Sequence, residues 1–210
     1  MIRLRVNFNK TEAMRFTSHL DLYRAWERTL RRAKLPLSYS QGFKPHPKIN
    51  IAAALPLGFT SRGDLVDIWL AERLDLATTE AVLKKSVPPG LEIVSIEEIS
   101  PQIPSLQSKL IAAEYSIILL TPIPGLKLKI KSILASPTII RQRNHKEYDM
   151  RPLILDIKFQ STDENHRQRL YLILKTKESE TGRPEEVILT LGGNPNQALI
   201  QREKLIFSDP

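Results

Sequence analysis

No cysteine occurs among the 210 residues. Disulfides, thiolate zinc sites, iron–sulfur clusters and a cysteine nucleophile are therefore excluded within this chain. No run approaches the roughly 20 apolar residues of a membrane helix. The amino terminus, "MIRLRVNFNK", alternates polar and apolar residues and lacks the apolar core of a signal peptide. The expectation is a cytoplasmic protein with no membrane partner. Gly-x-Ser-x-Gly, His-Glu-x-x-His and paired catalytic carboxylates are missing as well. The glycine pair in "LGGNPNQ" is not followed by Lys-Ser/Thr, so it reads as a helix end and turn rather than a phosphate loop.

What is present is positive charge, unevenly spread. The net charge is +8. Residues 1–50 hold 11 Lys and Arg against three acids, Glu12, Asp21 and Glu27, which accounts for the whole excess; the other 160 residues carry 20 of each sign. A field concentrated in this way attracts polyanions. A solvated basic face that aids solubility is the plainer alternative, and composition leaves both open.

Periodicity predicts an α+β chain. "IRLRVNF" alternates Ile2, Leu4, Val6 and Phe8 against Arg3, Arg5 and Asn7, the pattern of a half-buried strand. Ser18 and Asp21 fit a capping box opening a helix over 20–33. Leu22, Ala25, Trp26, Leu30 and Ala33 form its apolar stripe, with Arg24, Glu27, Arg28, Arg31 and Arg32 opposite and Pro36 closing it. "INIAAALPLG" and "GDLVDIWLAE" read as strands, the second with Leu65, Ile68 and Leu70 in imperfect alternation. Asp75 caps the helix "LATTEAVLKKSV", and "LEIVSIEEI" is a fourth strand with a break in phase. This β-α-β-β-α-β order is the ferredoxin-like arrangement.

"SPQIPSLQSK" reads as a linker, after which the order recurs. "AEYSIILL" is a strand, and "PGLKLKIKSILA" a helix with Leu126, Ile130, Ile133 and Leu134 inward. "TIIRQR" is a short extra strand; "RPLILDIKF", "RLYLILKT" and "QREKLIF" are the others, and "RPEEVILTLGG" is a helix opened by Pro184. The expected architecture is two tandem ferredoxin-like units packed together, 1–100 and 113–210, joined by a linker over 101–112.

Two histidines are candidates for acid–base chemistry. His19, in a helical first turn beside Ser18 and Asp21, would be held neutral by the helix dipole and could act as a base; but Ser18 and Asp21 are also explained as a cap. His46 lies in "YSQGFKPHPKI", residues 39–49. Lys44 and His46 each precede a proline and are biased to extended backbone, while Gly42 permits a turn. Tyr39 and Phe43 could offer stacking faces and Lys44 and Lys48 phosphate contacts. The competing reading packs both aromatics into the core and leaves the lysines in solvent. No spacing demands that His19, Asp21 and His46 converge on a metal, and neither a metal nor a cofactor is expected.

"RFTSHLDLYRAWERTLRRAKLPLSYSQGFKPHPKINIAAALPLGFTSRGDLVDIWL" resembles the radical SAM-linked domain of unknown function, DUF2344. The resemblance lies in residues 15–21, a basic helix, residues 39–47, 54–58 and 61–67; "YDMRPLILDI" and "RPEEVILTLG" extend it into the second half. It implies an accessory domain fused to, or working beside, a bacterial radical SAM protein, since this chain has no cysteines for the cluster. The expected role is to hold RNA or another anionic substrate through Arg15, Arg24, Arg28, Arg31, Arg32, Tyr39, Gln41, Phe43, Lys44, His46 and Lys48, with Arg141, Arg143 and Arg151 extending the track. Two alternatives stay open: an RNA-processing or RNA-modifying enzyme using His19 or His46, and a protein–protein docking domain.

Overall fold

The computed structural model describes residues 1–143, 145–177 and 180–208. It is a mixed α+β chain dominated by strands, and it divides into two compact units, Met1–Lys109 and Leu110–Pro210.

The first unit runs β1 (Ile2–Lys10), α1 (His19–Arg32), β2 (Ile49–Ile51), β3 (Phe59–Leu70), α2 (Leu76–Ser86), β4 (Leu91–Ile99) and a single turn α3 (Leu106–Lys109). Its strands lie in the order β4-β1-β3-β2, every pairing antiparallel. Val6 and Phe8 on β1 and Val66 and Ile68 on β3 bury against Leu22, Trp26 and Leu30 of α1 and Leu83 of α2. The Trp26 and Phe8 rings meet edge to face, 5.0 Å between centroids. Leu65 was expected to point inward with Ile68 and Leu70, but Val66 takes that place. Leu65 lies three residues from Ile68, an odd number, so pleating sends it to the opposite face. The phase break in β4 is a bulge: Asn7 pairs with Ser95 and Phe8 with Ile93, so Val94 is skipped and left exposed. Only Ile49–Ile51 of the strand expected over "INIAAALPLG" pairs with β3. The remainder leaves as a loop that returns to the start of α1, where Gly58 N–H donates to the Arg15 carbonyl (3.0 Å).

Helix α1 starts as its sequence dictates. The Ser18 hydroxyl oxygen accepts from Asp21 N–H (3.1 Å), and the same hydroxyl donates to the Asp21 carboxylate (2.7 Å). Its other end is a Schellman turn, with Leu35 N–H to Leu30 O and Lys34 N–H to Arg31 O. The left-handed position there, usually glycine, is Lys34 at φ 53°.

The sheet face away from the helices is covered at Arg3 and Asp67, although the Arg3/Arg5/Asn7 alternation suggests solvent. Arg3 and Asp67 are 2% and 0% exposed. Asp67 receives both Arg3 (Nε at 3.1 Å) and Arg5 (Nε at 2.9 Å). Arg3 also donates to the carbonyls of Ile103 and Pro104, and its guanidinium lies 5.0 Å over the Trp69 ring. Beyond these, Gln107 donates to Ile51 O (3.0 Å) and accepts from Asn50 (2.7 Å). Part of the segment read as a linker, Ile103 to Gln107, is thus a strap tied to β1 and β2.

The second unit runs β5 (Leu110–Leu119), α4 (Leu126–Ala135), β6 (Ile140–Arg143), β7 (Lys146–Asp149), β8 (Ile154–Thr162), β9 (Gln168–Lys175), α5 (Pro184–Thr190) and β10 (Ala198–Phe207). Its strands lie in the order β10-β5-β9-β8, all antiparallel. Setting aside the β6–β7 hairpin, both the element order and the strand order repeat those of the first unit. The short strand expected in "TIIRQR" is one arm of that hairpin. Leu126, Ile130 and Ile133 of α4 are buried, whereas Leu134, expected beside them, is 39% exposed. Helix α5 begins at Pro184 and ends at Thr190 with Leu191 as its cap, and Gly192 follows at a φ of 81° that permits the turn.

Candidate polyanion-binding face

Because Leu22, Trp26, Thr29 and Leu30 turn α1 toward the core, Arg24, Arg28, Arg31 and Arg32 point outward. Arg24 pairs with Asp21 at 3.2 Å across one turn. That hydrogen-bonded carboxyl is held below the usual carboxylate range, first by the Ser18 hydroxyl and then by Arg24, with Arg28 acting at longer range. Among the described residues, Arg28, Arg31, Lys34 and Lys44 make no ion pair. Arg31 and Arg32 sit in the last turn, where cations also favour the helix dipole.

Residues 38–48 form a braced hairpin. Its stem is anchored on Trp69, which accepts from Ser38 N–H (2.8 Å) and donates to Lys48 O (3.1 Å); Lys48 N–H in turn donates to Ser38 O (2.8 Å). One rung further out, Ser40 N–H donates to His46 O (2.8 Å) and His46 N–H to Ser40 Oγ (3.0 Å). The tip, 41–45, turns at Gly42, whose φ of 141° suits glycine. The hairpin leans on α1: the Tyr23 hydroxyl donates to Pro47 O (3.3 Å), and His46 Nδ1 lies 4.0 Å from the Glu27 carboxylate. Arg24 and Arg31 are three and four residues from Glu27, hence on its helix face. The fold therefore sets the hairpin against α1 on the side of Arg24 and Arg31, while Arg28 and Arg32 lie further round the helix. Sequence reasoning missed Tyr23 and Glu27 as the anchors; their i,i+4 spacing beside the basic stripe was the available signal.

Neither aromatic of the hairpin enters the core. Phe43 is fully exposed at the tip and Tyr39 is 46% exposed. Gln41, Lys44 and His46 are exposed too, while Lys48 is half-buried, its ammonium near Met1 Sδ. Arg15 is used differently. Its guanidinium donates to Gly58 O (2.7 Å) and lies 3.6 Å from Glu12, which ties the 52–58 loop to the entry of α1. Nearby, the buried Lys10 ammonium donates to the carbonyls of Arg15, Thr17 and Phe59 at 3.1–3.3 Å. With Arg3 and Arg5 beside Asp67, four of the eleven cations in residues 1–50 serve the fold rather than the surface.

His19 is half-buried in the first turn of α1, with Ser18 and Asp21 bonded to each other. His46 belongs to the hairpin, and no three His, Asp or Glu side chains among the described residues gather in metal-binding fashion.

In the second unit, Arg143 pairs with Glu186 at 2.9 Å and packs 4.9 Å over the Tyr148 ring; Arg141 donates to Glu186 O and Arg151 to Ile154 O and Leu134 O. The Tyr148 hydroxyl donates to Glu186, and burial followed by that carboxylate pushes its phenol upward. A cleft of about 530 Å³ lies beside this network, lined by Arg143, Lys146, Tyr148 and Leu153 among others. The arginines expected to extend the basic track are engaged inside their own unit.

Comparison with known proteins fits the sequence signature. The family model of uncharacterized proteins conserved in bacteria, DUF2344, matches residues 3–184, and the chain belongs to that family. No curated protein sequence matches it. A chain in the crystal structure of a Cbf5-Nop10-Gar1 complex superposes with a TM-score of 0.52 at 12% identity, covering 99% of this chain and 50% of that one. A chain in the archaeal box H/ACA sRNP Nop10-Cbf5 complex gives 0.47 at 12% identity, covering 99% and 49%. The chain spans about half the length of these structures, and the likeness to the first is one of fold.

Proposed function

We propose that this DUF2344 chain is a non-catalytic module that binds RNA, or another extended anionic substrate, for a partner radical SAM enzyme. One observation carries the reading. The cations of α1, Lys34 and the 38–48 hairpin lie on a braced part of the unit where most have no counter-charge, while Arg3, Arg5, Lys10 and Arg15 are spent on the fold. A surface that served only solubility would not need a hairpin clamped on Trp69 and leaned on Tyr23 and Glu27. The radical SAM partner rests on the sequence resemblance quoted above. The repeated strand order supports reading both units as ferredoxin-like, since a split β-α-β with the fourth strand outside the first has this order.

A second reading rests on His46. With Nδ1 4.0 Å from the Glu27 carboxylate and the ring 66% exposed, it is an accessible imidazole that a small shift would bring into a hydrogen bond with a carboxylate, an arrangement a general base can use. An RNA-processing or RNA-modifying activity would follow from that pair.

The test is binding of fluorescent tRNA and rRNA fragments at two salt concentrations. Four phosphate contacts on a single strand predict about a 50-fold loss of affinity between 50 and 200 mM salt. Reversing Arg28, Arg31 and Lys44 to Glu should abolish binding, and His46→Ala should change affinity without changing the RNA. Affinity indifferent to salt and to those reversals would sink the proposal; cleaved or modified RNA that His46→Ala spares would favour the enzyme. A radical SAM partner that co-purifies without RNA would point to docking instead.

A further inference from the structure

Phe43 occupies a position that folding alone does not explain. Burying a phenylalanine side chain is worth roughly 1.5–3 kcal/mol, yet this ring stands fully exposed at the tip of a hairpin that has two backbone rungs and prolines at 45 and 47. The hairpin does not deliver the ring to any core. It holds the ring away from the body, with Lys44 next to it in the chain and Tyr39 half-exposed on the same hairpin. Gly42, with open space where a Cβ would stand, lets the tip turn without adding bulk.

On the reading that this face binds RNA, we infer that the ligand is single-stranded or looped, because Phe43 is built to stack on an unpaired base. Stacking needs an unpaired base face, and duplex RNA hides its bases within the stack. The A-form major groove is too deep and narrow for side chains to read, and the wide minor groove offers 2′-hydroxyls and base edges, which an apolar ring cannot hydrogen-bond. A single strand supplies what this surface lacks: base faces for Phe43 and Tyr39, with phosphates nearby for Lys44, Arg31 and Arg28. The α1 arginines match this geometry. Arg24, Arg28 and Arg31 recur about once per 5.4 Å helical turn, a ladder of cations along the helix on which the hairpin leans. Recognition by stacking and charge also tolerates many base sequences, so a preference for strandedness should exceed any preference for sequence.

The experiment compares a 12-nucleotide single strand with a 12-base-pair RNA duplex, both fluorescently labelled, against the full chain at fixed salt. Phe43→Ala and Phe43→Trp are measured beside the parent. The tip is solvent-exposed, so neither change threatens folding; circular dichroism verifies this. The single strand should bind at least tenfold more tightly than the duplex. Phe43→Ala should weaken single-strand binding by roughly 5- to 150-fold, the worth of one base–aromatic stack, and leave duplex binding unchanged, while Phe43→Trp should retain it. Equal, salt-dependent binding of both RNAs, indifferent to Phe43→Ala, would overturn this inference while leaving the polyanion reading intact. Salt-dependent binding of neither RNA would overturn both and leave the exposed ring to a protein partner.

Discussion

The two units arrange four strands in the same order and use their arginines in opposite ways. In the second unit, Arg141, Arg143 and Arg151 bond to carboxylates and carbonyls of their own unit, and Arg167 pairs with Asp163 at 2.8 Å. In the first, Arg28 and Arg31 project from α1 without an ion pair, while Arg3 and Arg5 are sheltered around Asp67. The sheet faces away from the helices differ too: Arg3, Arg5 and Asp67 in the first unit, and Tyr171 among Glu114, Asp156 and Glu203 in the second. A count of charges cannot separate these cases. On the proposed reading, what makes a binding face is a cluster of cations without counter-charge beside a braced hairpin, and the first unit has that combination in Arg28, Arg31 and Lys44.

The sharpest way to break this contrast is to remove one carboxylate from each unit. Asp67→Asn strands two sheltered guanidiniums and should cost about 3–5 kcal/mol, whereas Glu186→Gln, partly exposed, should cost about 1 kcal/mol. Urea unfolding of the full chain measures both, and equal losses would contradict the difference in shelter between the buried Arg3–Arg5–Asp67 cluster and the partly exposed Arg143–Glu186 pair. A smaller effect comes from Lys34, held at φ 53°. Lys34→Gly should stabilise by about 1 kcal/mol through relief of the left-handed backbone, and should weaken polyanion binding as one cation leaves the face. Stabilisation with no loss of binding would move the boundary of that face inward to Arg31.

The smallest effect concerns the second unit alone. Burial first, then the hydrogen bond with Glu114 and the charges of Asp156 and Glu203, push the Tyr171 phenol up to about 12. The unfolded chain ionises this group near 10. Its contribution to stability is therefore constant below pH 10 and is lost as pH rises from there through about 12. Ultraviolet titration should show a late tyrosinate step that Tyr171→Phe removes; a titration unchanged by that substitution would refute it.

Much of this was legible in the sequence, for local reasons. The Ser18–Asp21 cap, the apolar stripe of α1, Asp75 at the start of α2 and Pro184 at the start of α5 depend on residues within four positions of one another, and all stand where the pattern placed them. The phase break in β4 was legible as well, and its cause is the bulge at Val94. Long-range facts were not. Nothing near Arg3 in the chain says that Ile103 and Pro104 will accept its hydrogen bonds, so an alternating strand suggests a wet position that is in fact covered. Lys10 and Arg15 counted toward the positive field until the fold set carbonyls around them. The exposure of Phe43 could be posed as a question from "YSQGFKPHPKI", but its answer depended on contacts with Tyr23, Glu27 and Trp69.

The strap from Ile103 to Gln107 has a practical corollary. A fragment cut at residue 100 would keep every strand of the first sheet and still be incomplete, because its most deeply set arginine would lose two carbonyls and gain an open flank. A cut that spares this strap falls no earlier than Lys109, where the first compact unit ends. The stretch that looks like spare length holds a buried guanidinium in place, so a cut, an insertion or a fused tag there would disturb the core sheet.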